Sequence, residues 1–536
     1  MSKSLAKSAG IFSAMTLISR ISGLIRDQVY AIGFGASPAM DAFLVAFRIP
    51  NFMRKISAEG AFSMAFVPVL QEYRATASPS QVKELIDRVT GSMIAILLVI
   101  VGLALLGAPW IMRWIAPGFA LDQLQLATEL LRITFPYILF VSLASLVGAV
   151  LNSYGKFAIP ALSPVLLNLT MIGAALLVAP QVDVPIKALA WGVFAAGLFQ
   201  LLFHLPFLAR LGLVPSPKWG AKHAGVRRMI QLMGPTIFGA SVSQLNLLIN
   251  TIIATSLMAG SVTWLYYTER LLEFPLGMFG VAIGTVILPQ LSMHFATNDQ
   301  DNYSRGLDWG LRLCILIGIP AAVGLALCAK ALIATLFMYG EFTSFDAQMT
   351  AWSLFALAFA LPAFLLVKVL APAFYSRQDT TTPVKAALVS MAVNLVSGAT
   401  VIALVMWTTR QGQLALHNAN GDFVAAMRNV DGLHVALAAA IAMAGWANAL
   451  SLAWYLRKSR AYTPSPGWGR HMLKIVVAAG AMAAWVAFVN GQWTQWDQWH
   501  ALQRTWRLLA MVGSGALVYF GLLLAQGVKP REILGH

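Results

Sequence analysis

The feature that most constrains this sequence is a series of long apolar segments separated by short polar ones. A helix needs about 20 consecutive apolar residues to cross a bilayer, and about fourteen segments of the chain approach or exceed that length. The pattern predicts an all-α polytopic membrane protein with about fourteen transmembrane helices. The predicted spans are residues 11–34, 40–71, 89–112, 127–152, 159–180, 185–209, 228–257, 261–295, 307–338, 350–376, 383–407, 433–457, 471–490 and 505–526.

Charge and composition agree with this fold class. Only 11% of the residues are charged, against about 25% in soluble domains. The longest polar break, residues 410–431, is too short for a soluble catalytic domain. The formal net charge is +16, but the sequence contains no nucleic-acid-binding motif. If the spans alternate, most basic residues fall in loops on one side, which predicts that both termini are cytoplasmic and that nucleic acid is not a partner.

An internal repeat appears at a spacing of about 220 residues. FVPVLQEYRA, which contains Pro68, recurs as ILPQLSMHFA with Pro289, and Pro136 to Asn168 has the same length as Pro362 to Asn394. We therefore expect two six-helix lobes, residues 1–220 and 221–460, with a substrate site between them. Residues 461–536 would add two C-terminal helices.

The first two spans carry an unusual density of charge. A charge at bilayer depth costs a few kcal/mol or more, so it normally faces a protein interior or a water-filled cavity. The excess of cations over acids predicts a polar cavity with an anionic guest. The charged residues are Arg20, Arg26, Asp27, Asp41, Arg48, Arg54, Lys55 and Glu59.

In the second span, Asp41, Arg48 and Lys55 are seven residues apart and form one stripe on a helix. Arg54 is offset from the stripe by one residue, and Glu59 can reach Lys55 at i+4. Two interpretations stay open. The charges can neutralise one another near the membrane surface, which suits Lys55 and Glu59, or they can line a cavity, which suits Arg48 and Arg54.

In the first span, Arg20 and Arg26 lie roughly 120° apart around a straight helix, and Asp27 is positioned to hold one of them.

In the eighth span, Glu269 and Glu273 flank Arg270. That trio predicts either a closed salt-bridge cluster or a gate that re-pairs between conformations.

Lys368 stands alone in the tenth span, where snorkelling to the interface and cavity lining are equally consistent with its position.

Little supports an enzyme. The sequence lacks an HExxH motif, a Walker A loop, a metal-type Cys/His spacing and a GxSxG elbow. Its several acids leave a glycosyltransferase acting on a lipid-linked sugar as the rival class.

Long motifs over nearly the whole chain closely resemble the MurJ (MviN) lipid II flippase family of the multidrug/oligosaccharidyl-lipid/polysaccharide exporter superfamily. They are SRISGLIRD, DAFLVAFRIPNFMRKISAEGAFSMAFVP, FPYILFVSLASLVGAVLNSYGKF, YYTERLLEFP and APAFYSRQDTTTPVK. The resemblance implies two lobes around a cationic cavity, alternating access across the bacterial cytoplasmic (inner) membrane, and a groove for the polyprenyl tail formed by helices 13 and 14.

The resemblance also implies functional residues and a substrate. The substrate would be lipid II, whose pyrophosphate suits arginine forks, carried by a monomer without a cofactor. Asp379 lies near a possible ion site, although the seventh helix has no acid, and the membrane potential or an ion gradient would drive the cycle. The family's cavity arginines fall on Arg20, Arg26, Arg54 and Arg270, and its important acid on Asp41.

Two alternatives remain at this point. One is a related exporter of another lipid-linked oligosaccharide or of small cations, and the excess of cavity arginine argues against cations. The other is a membrane glycosyltransferase.

Overall fold

A computed structural model describes residues 3–55 and 62–528, and the regular elements in those ranges are helical. The chain forms two compact units, Met1–Val262 and Thr263–His536. Glu59 lies outside the described residues, so the proposed Lys55–Glu59 pair stays a prediction.

Unit 1 begins with a long charged helix and ends with another long helix. The last helix, α10, contacts α3 and α4. The predicted lobe boundaries at residues 220 and 460 stay predictions. The helices of unit 1 are α1 (Lys3–Phe34), α2 (Pro38–Arg54), α3 (Phe62–Thr76), α4 (Pro79–Ile115), α5 (Leu121–Thr134), α6 (Tyr137–Ser153), α7 (Ala158–Ala161), α8 (Ser163–Gly173), α9 (Pro185–Ala209) and α10 (Ala224–Thr255).

Several helices of unit 2 pack against one another in pairs. Among the described helices, α17 and α20 share the largest contact, and α21 packs along α22. The helices from the unit boundary onward are α11 (Ser261–Pro275), α12 (Val281–Ala296), α13 (Gln300–Leu327), α14 (Ala329–Leu336), α15 (Ser344–Ala358), α16 (Leu361–Tyr375), α17 (Thr381–Thr408), α18 (Arg410–Asn418), α19 (Phe423–Met427), α20 (His434–Lys458), α21 (Trp468–Gln492) and α22 (Ala501–Ala525).

Local sequence accounts for several helix boundaries. Ser78 caps α4 in a capping box with Gln81, and Thr343 and Asp346 do the same for α15. Each cap satisfies backbone N–H groups that have no partner within the helix. Short π-helical turns follow α8 and α11, at Ala174–Val178 and Leu276–Gly280.

Within the described residues, nine helical segments are long and apolar enough to cross a membrane, or ten if the bent pair α15 and α16, at 43° to each other, forms one span. They coincide with the predicted spans three to six and nine to fourteen. The predicted spans 11–34, 40–71, 228–257 and 261–295 stay predictions. Charged residues interrupt the first, and α2 and α3 each have fewer than 18 residues. The multi-pass helical membrane fold is confirmed, whereas the count of fourteen is not.

Two linkers pack tightly on the helices beside them. The residues between α9 and α10 lie along α4, and Arg88 donates to the carbonyl of Trp219 at 2.8 Å. A Cβ atom at Gly91 would overlap the backbone of Lys218, so glycine permits this close approach. In unit 2 the residues between α20 and α21 lie along α13, where Ser304 Oγ donates to the carbonyl of Thr463 at 2.9 Å.

Candidate functional site

Arg26 on α1 is the most enclosed of the predicted arginines. It is 5% exposed, and the adjacent Asp27 is fully buried. Its Nε and Nη2 donate to Asp27 Oδ1 at 3.0 and 2.7 Å, and its Nη1 donates to Asn168 Oδ1 at 3.1 Å. Tyr30 lies beneath the guanidinium, 5.5 Å from the ring centroid. The prediction that Asp27 holds one of the two α1 arginines is confirmed.

Asn168 on α8 joins this cluster, and sequence reasoning did not select it as a site residue. Its Nδ2 donates to Ser22 Oγ at 2.9 Å and to the Ser19 carbonyl at 3.1 Å, while its Oδ1 accepts from Arg26. The amide therefore fixes the guanidinium relative to the backbone of α1. The internal repeat that matches Asn168 with Asn394 is the sequence signal that could have identified it.

Arg20 is half-buried on α1, six residues before Arg26. The two arginines lie on different sides of the helix, as the spacing predicts, because six residues fall roughly 120° short of two whole turns.

On α2, the stripe residue Arg48 and the neighbouring Arg54 have different hydrogen-bond partners. Arg48 is half-buried and donates through Nη1 to Thr251 Oγ1 on α10. Arg54 donates through Nε and Nη2 to Asn51 Oδ1 at 3.1 and 2.8 Å. A small recess lies between these helices, lined by Arg48, Asn51, Phe52, Gln244, Leu247 and Leu248. Arg48 and Asn51 therefore line the same recess in unit 1, and Asn51 is the residue that accepts the hydrogen bonds of Arg54.

Asp41 lies at the other end of α2 and is 2% exposed. Its Oδ2 accepts the backbone N–H of Gly260 at 2.7 Å. Gly260 has φ +95°, a conformation that favours glycine. The carboxylate thus fixes the turn that precedes α11.

In unit 2, Arg270 on α11 pairs with Glu273, Nη1 to Oε2 at 3.0 Å, and its guanidinium lies 5.8 Å from the centroid of the Tyr266 ring. Glu273 is exposed and Glu269 is half-buried. The salt-bridge part of the predicted trio is therefore present. Lys368 on α16 is exposed, and its aliphatic stem packs against the backbone at Gly280.

Asp379 caps the start of α17. Its Oδ1 accepts the backbone N–H groups of Thr381 and Thr382, each at 3.0 Å, and its Oδ2 accepts Thr382 Oγ1 at 2.6 Å. Burial acts to raise the pKa of this carboxyl, but the threonine hydrogen bonds outweigh it and hold the pKa below its usual value of 3.8. The ion site near Asp379 stays a prediction. Within residues 3–55 and 62–528, no three His, Cys, Asp or Glu side chains converge as a metal site.

A comparison of the whole sequence with known families decides the assignment. Residues 30–505 match the profile of the family described as lipid II flippase MurJ. The chain belongs to this family. A Burkholderia cenocepacia protein named lipid II flippase MurJ is 40% identical over 526 residues, which cover 96% of each chain.

Solved structures agree with the fold. A structure titled "Lipid II flippase MurJ, inward closed conformation" aligns with a TM-score of 0.74 at 25% identity, covering 96% of this chain and 99% of its own. An inward-facing MATE family transporter of the MOP superfamily aligns with a TM-score of 0.65 at 13% identity, covering 84% and 98%. The second likeness concerns the fold alone. The predicted family and the predicted helical membrane fold are confirmed.

Proposed function

We propose that this protein is a flippase that moves lipid II from the cytoplasmic to the periplasmic leaflet of the bacterial inner membrane by alternating access. The observation that carries the proposal is the family match over residues 30–505. The cation-rich helices α1 and α2 add chemical support, because an anionic head group is the guest that such an excess of arginine suits.

In the proposed mechanism, Arg20, Arg26, Arg54 and Arg270 bind the pyrophosphate and the head group. Arginine presents donors in a rigid fork that matches phosphate oxygens, and such charge-assisted bonds are stronger than neutral ones. The head group crosses within the protein, whereas the polyprenyl tail stays in lipid, where no desolvation cost arises.

Arg26 supplies a partner-exchange step. Its guanidinium donates to Asp27 and Asn168, so the buried charge is compensated before substrate arrives. A pyrophosphate oxygen replaces Asn168 as an acceptor while Asp27 stays paired, since leaving the buried Asp27 carboxylate without a cation would cost about 3–5 kcal/mol.

Arg270 works in a similar way with Glu273 and Glu269. Because this pair is more exposed than the Arg26 cluster, it re-pairs more easily as the conformation changes. Asp41 and Arg48 hold α2 against the turn at Gly260 and against α10 and contribute to gating. The membrane potential, worth about 2.3 kcal/mol per charge per 100 mV, resets the cycle.

The remaining parts of the proposal concern orientation and assembly. Both termini face the cytoplasm, because most basic residues then lie in cytoplasmic loops. The protein acts as a monomer without a cofactor and leaves the chemistry of its substrate unchanged.

The test uses purified protein in liposomes loaded with labelled lipid II. Exposure of the head group to the outside is followed for wild type, Arg26→Ala and Arg26→Lys, with and without an imposed potential. The control is Arg132→Ala, which removes an exposed arginine on α5 that donates to a backbone carbonyl.

We expect protein-dependent exposure of intact lipid II, lost in Arg26→Ala, reduced in Arg26→Lys and retained in Arg132→Ala. Full activity in Arg26→Lys would contradict the fork geometry. Chemically altered lipid would favour the glycosyltransferase, and transport of a different lipid-linked oligosaccharide in preference to lipid II would favour the related exporter.

A further inference from the structure

Unit 2 contains a partly open apolar groove. It lies between α13, α16 and α20 and is closed at one end by the linker that leads into α21. Its volume is about 140 Å3, below the range of about 300–1,000 Å3 typical of sites that enclose a whole small ligand, so it fits part of a ligand. Its lining residues are Leu311, Leu366, Leu370, Trp446, Ala449, Leu450, Ala453, Arg457, Tyr462 and Trp468.

The aromatic walls of this groove are held in place through their polar atoms. Trp446 Nε1 donates to the carbonyl of Phe359 at 2.9 Å. Tyr462 Oη and Trp468 Nε1 each donate to Asp308 Oδ1 at 2.6 Å. With these atoms satisfied elsewhere, the rings contribute apolar surface to the groove. The site is preformed, so a ligand would bind without the cost of ordering those side chains.

Arg457 places a cation at one end of the apolar surface. On α20, Trp446, Ala453 and Arg457 follow one another at intervals of seven and four residues, so they lie along one face. The guanidinium of Arg457 makes no ion pair or hydrogen bond to any side chain or carbonyl that the structure describes. An apolar groove that ends at an available arginine suits an amphiphile with an anionic head.

The surroundings of Arg457 add positive charge. Arg377 donates to Ser459 Oγ at 3.2 Å, and Lys458 lies 4.8 Å from the centroid of the Trp454 ring. The neighbouring acids are engaged locally. Asp308 pairs with Arg312, Nε to Oδ2 at 2.8 Å, and Asp379 caps α17. The excess of basic residues at this end therefore favours a lipid with net negative charge over a zwitterionic one.

We propose that this groove binds one anionic glycerophospholipid of the cytoplasmic leaflet, with an acyl chain along α20 and the phosphate on Arg457. The leaflet follows from the proposed orientation, in which the end of α20 is cytoplasmic. The groove, of about 140 Å3, holds part of one acyl chain and is far too small for a C55 polyprenyl chain, which favours a bilayer lipid over the transported substrate.

The experiment measures lipid retention by native mass spectrometry. Four purified proteins are compared: wild type, Arg457→Gln, Ala453→Phe and Arg305→Gln. Each is mixed with equimolar phosphatidylglycerol and phosphatidylethanolamine. Ala453→Phe fills the groove and leaves Arg457 in place. Arg305→Gln is the matched control, because Arg305 is an exposed arginine in the first turns of α13 that does not line the groove.

We expect wild type and Arg305→Gln to retain phosphatidylglycerol in preference to phosphatidylethanolamine. Arg457→Gln should lower that preference about fivefold, because one basic residue near an anionic lipid is worth about that factor. Ala453→Phe should lower the retention of both lipids. An unchanged thermal midpoint in detergent confirms that each variant is folded. If Ala453→Phe is not folded, the comparison of lipid preference between Arg457→Gln and Arg305→Gln tests the proposal by itself.

Two results would overturn the proposal. Equal losses in Arg457→Gln and Arg305→Gln would mean that overall charge, rather than this groove, selects the lipid. Displacement of phosphatidylglycerol by a polyprenyl pyrophosphate in wild type but not in Ala453→Phe would assign the groove to the substrate tail. Neither result depends on transport, so the proposed flippase function is tested separately.

Discussion

The carboxylate of Asp308 accepts the backbone N–H of Ser465 at 3.2 Å. The same contact exists in unit 1, where Asp87 Oδ1 accepts the backbone N–H of Ser216 at 2.8 Å. Asp308 follows Asp87 by 221 residues, the spacing that separates Pro68 and Pro289. The internal repeat therefore includes the way in which each unit fastens a linker to one of its long helices.

The two linkers share a sequence as well as a contact. They read PSPKWG from Pro215 and PSPGWG from Pro464. Proline fixes φ and lacks an N–H, so the intervening serine supplies the backbone donor in a preset extended segment. Burial and the hydrogen bond to Asp308 both raise the pKa of Tyr462 above its usual value of 10.0, as expected for a phenol that donates to a carboxylate.

The linker contact in unit 2 predicts a large loss of stability on removing the acid. Asp308→Ala would leave Tyr462, Trp468 and Arg312 without their shared acceptor, and breaking a buried charge network costs about 3–5 kcal/mol. Asp87→Ala should cost less, about 1–3 kcal/mol, because it accepts from one backbone N–H and from the partly exposed Lys83. Both losses are measured as changes in the free energy of unfolding in mixed detergent micelles. Equal losses for Asp308→Ala and Asp87→Ala would contradict this prediction.

Asn168 is predicted to position Arg26 for transport. Asn168→Ala removes one charge-assisted bond from the guanidinium, and a loss of about 1.5 kcal/mol corresponds to about a tenfold lower rate of lipid II exposure. Asn394→Ala is the matched control, because Asn394 is the repeat counterpart and is also buried, at 1% against 5% exposure. Equal effects of the two substitutions on the rate would mean that the amides act through packing alone.

Asp379 is predicted to make the stability of α17 depend on pH. Because its folded-state pKa is depressed, the cap contributes fully above the usual pKa of 3.8 and is lost as pH falls through the lower folded value. Asp379→Ala should lower the free energy of unfolding by about 1 kcal/mol at neutral pH.

Asp379→Asn provides the control, since asparagine caps helices about as well but does not titrate. Thermal midpoints measured from neutral pH into the acid range should separate wild type from Asp379→Ala at high pH and converge at low pH. A difference that is independent of pH would show that the carboxylate charge does not contribute.

Arg504 is predicted to fix α22 to the end of α14. It is 6% exposed, and its Nη1 donates to the carbonyls of Ala334 and Met338, each at 2.9 Å. Arg504→Ala should lower the free energy of unfolding by about 2–3 kcal/mol, because hydrogen bonds to charged groups contribute about 1.5–3 kcal/mol. Arg504→Lys should recover part of the loss, and the exposed Thr505→Ala should change little. A loss below 0.5 kcal/mol, about that of an ordinary surface substitution, would contradict this role.

Apolar length was enough to predict the helical membrane fold and the spans that coincide with α4 to α9, α13, the bent pair α15 and α16, α17, α20, α21 and α22. In a bilayer, every backbone polar group must be satisfied within its own segment, so a long apolar run has few alternatives to a helix. Apolar length is a weaker predictor for α1 and α2, where Arg26 and Asp41 interrupt the apolar pattern. Those charges also predicted which helices bear the candidate site.

The sequence by itself determined the fold class, the internal repeat and the concentration of arginine in α1 and α2, because each is a pattern along the chain. Only the tertiary structure decided the partners: Asn168 for Arg26, Thr251 for Arg48, Gly260 for Asp41 and Ser465 for Asp308. Such pairs are separated by more than 140 residues. A hydrogen bond reaches about 3 Å, and periodicity within a helix carries no information about which distant backbone comes that close.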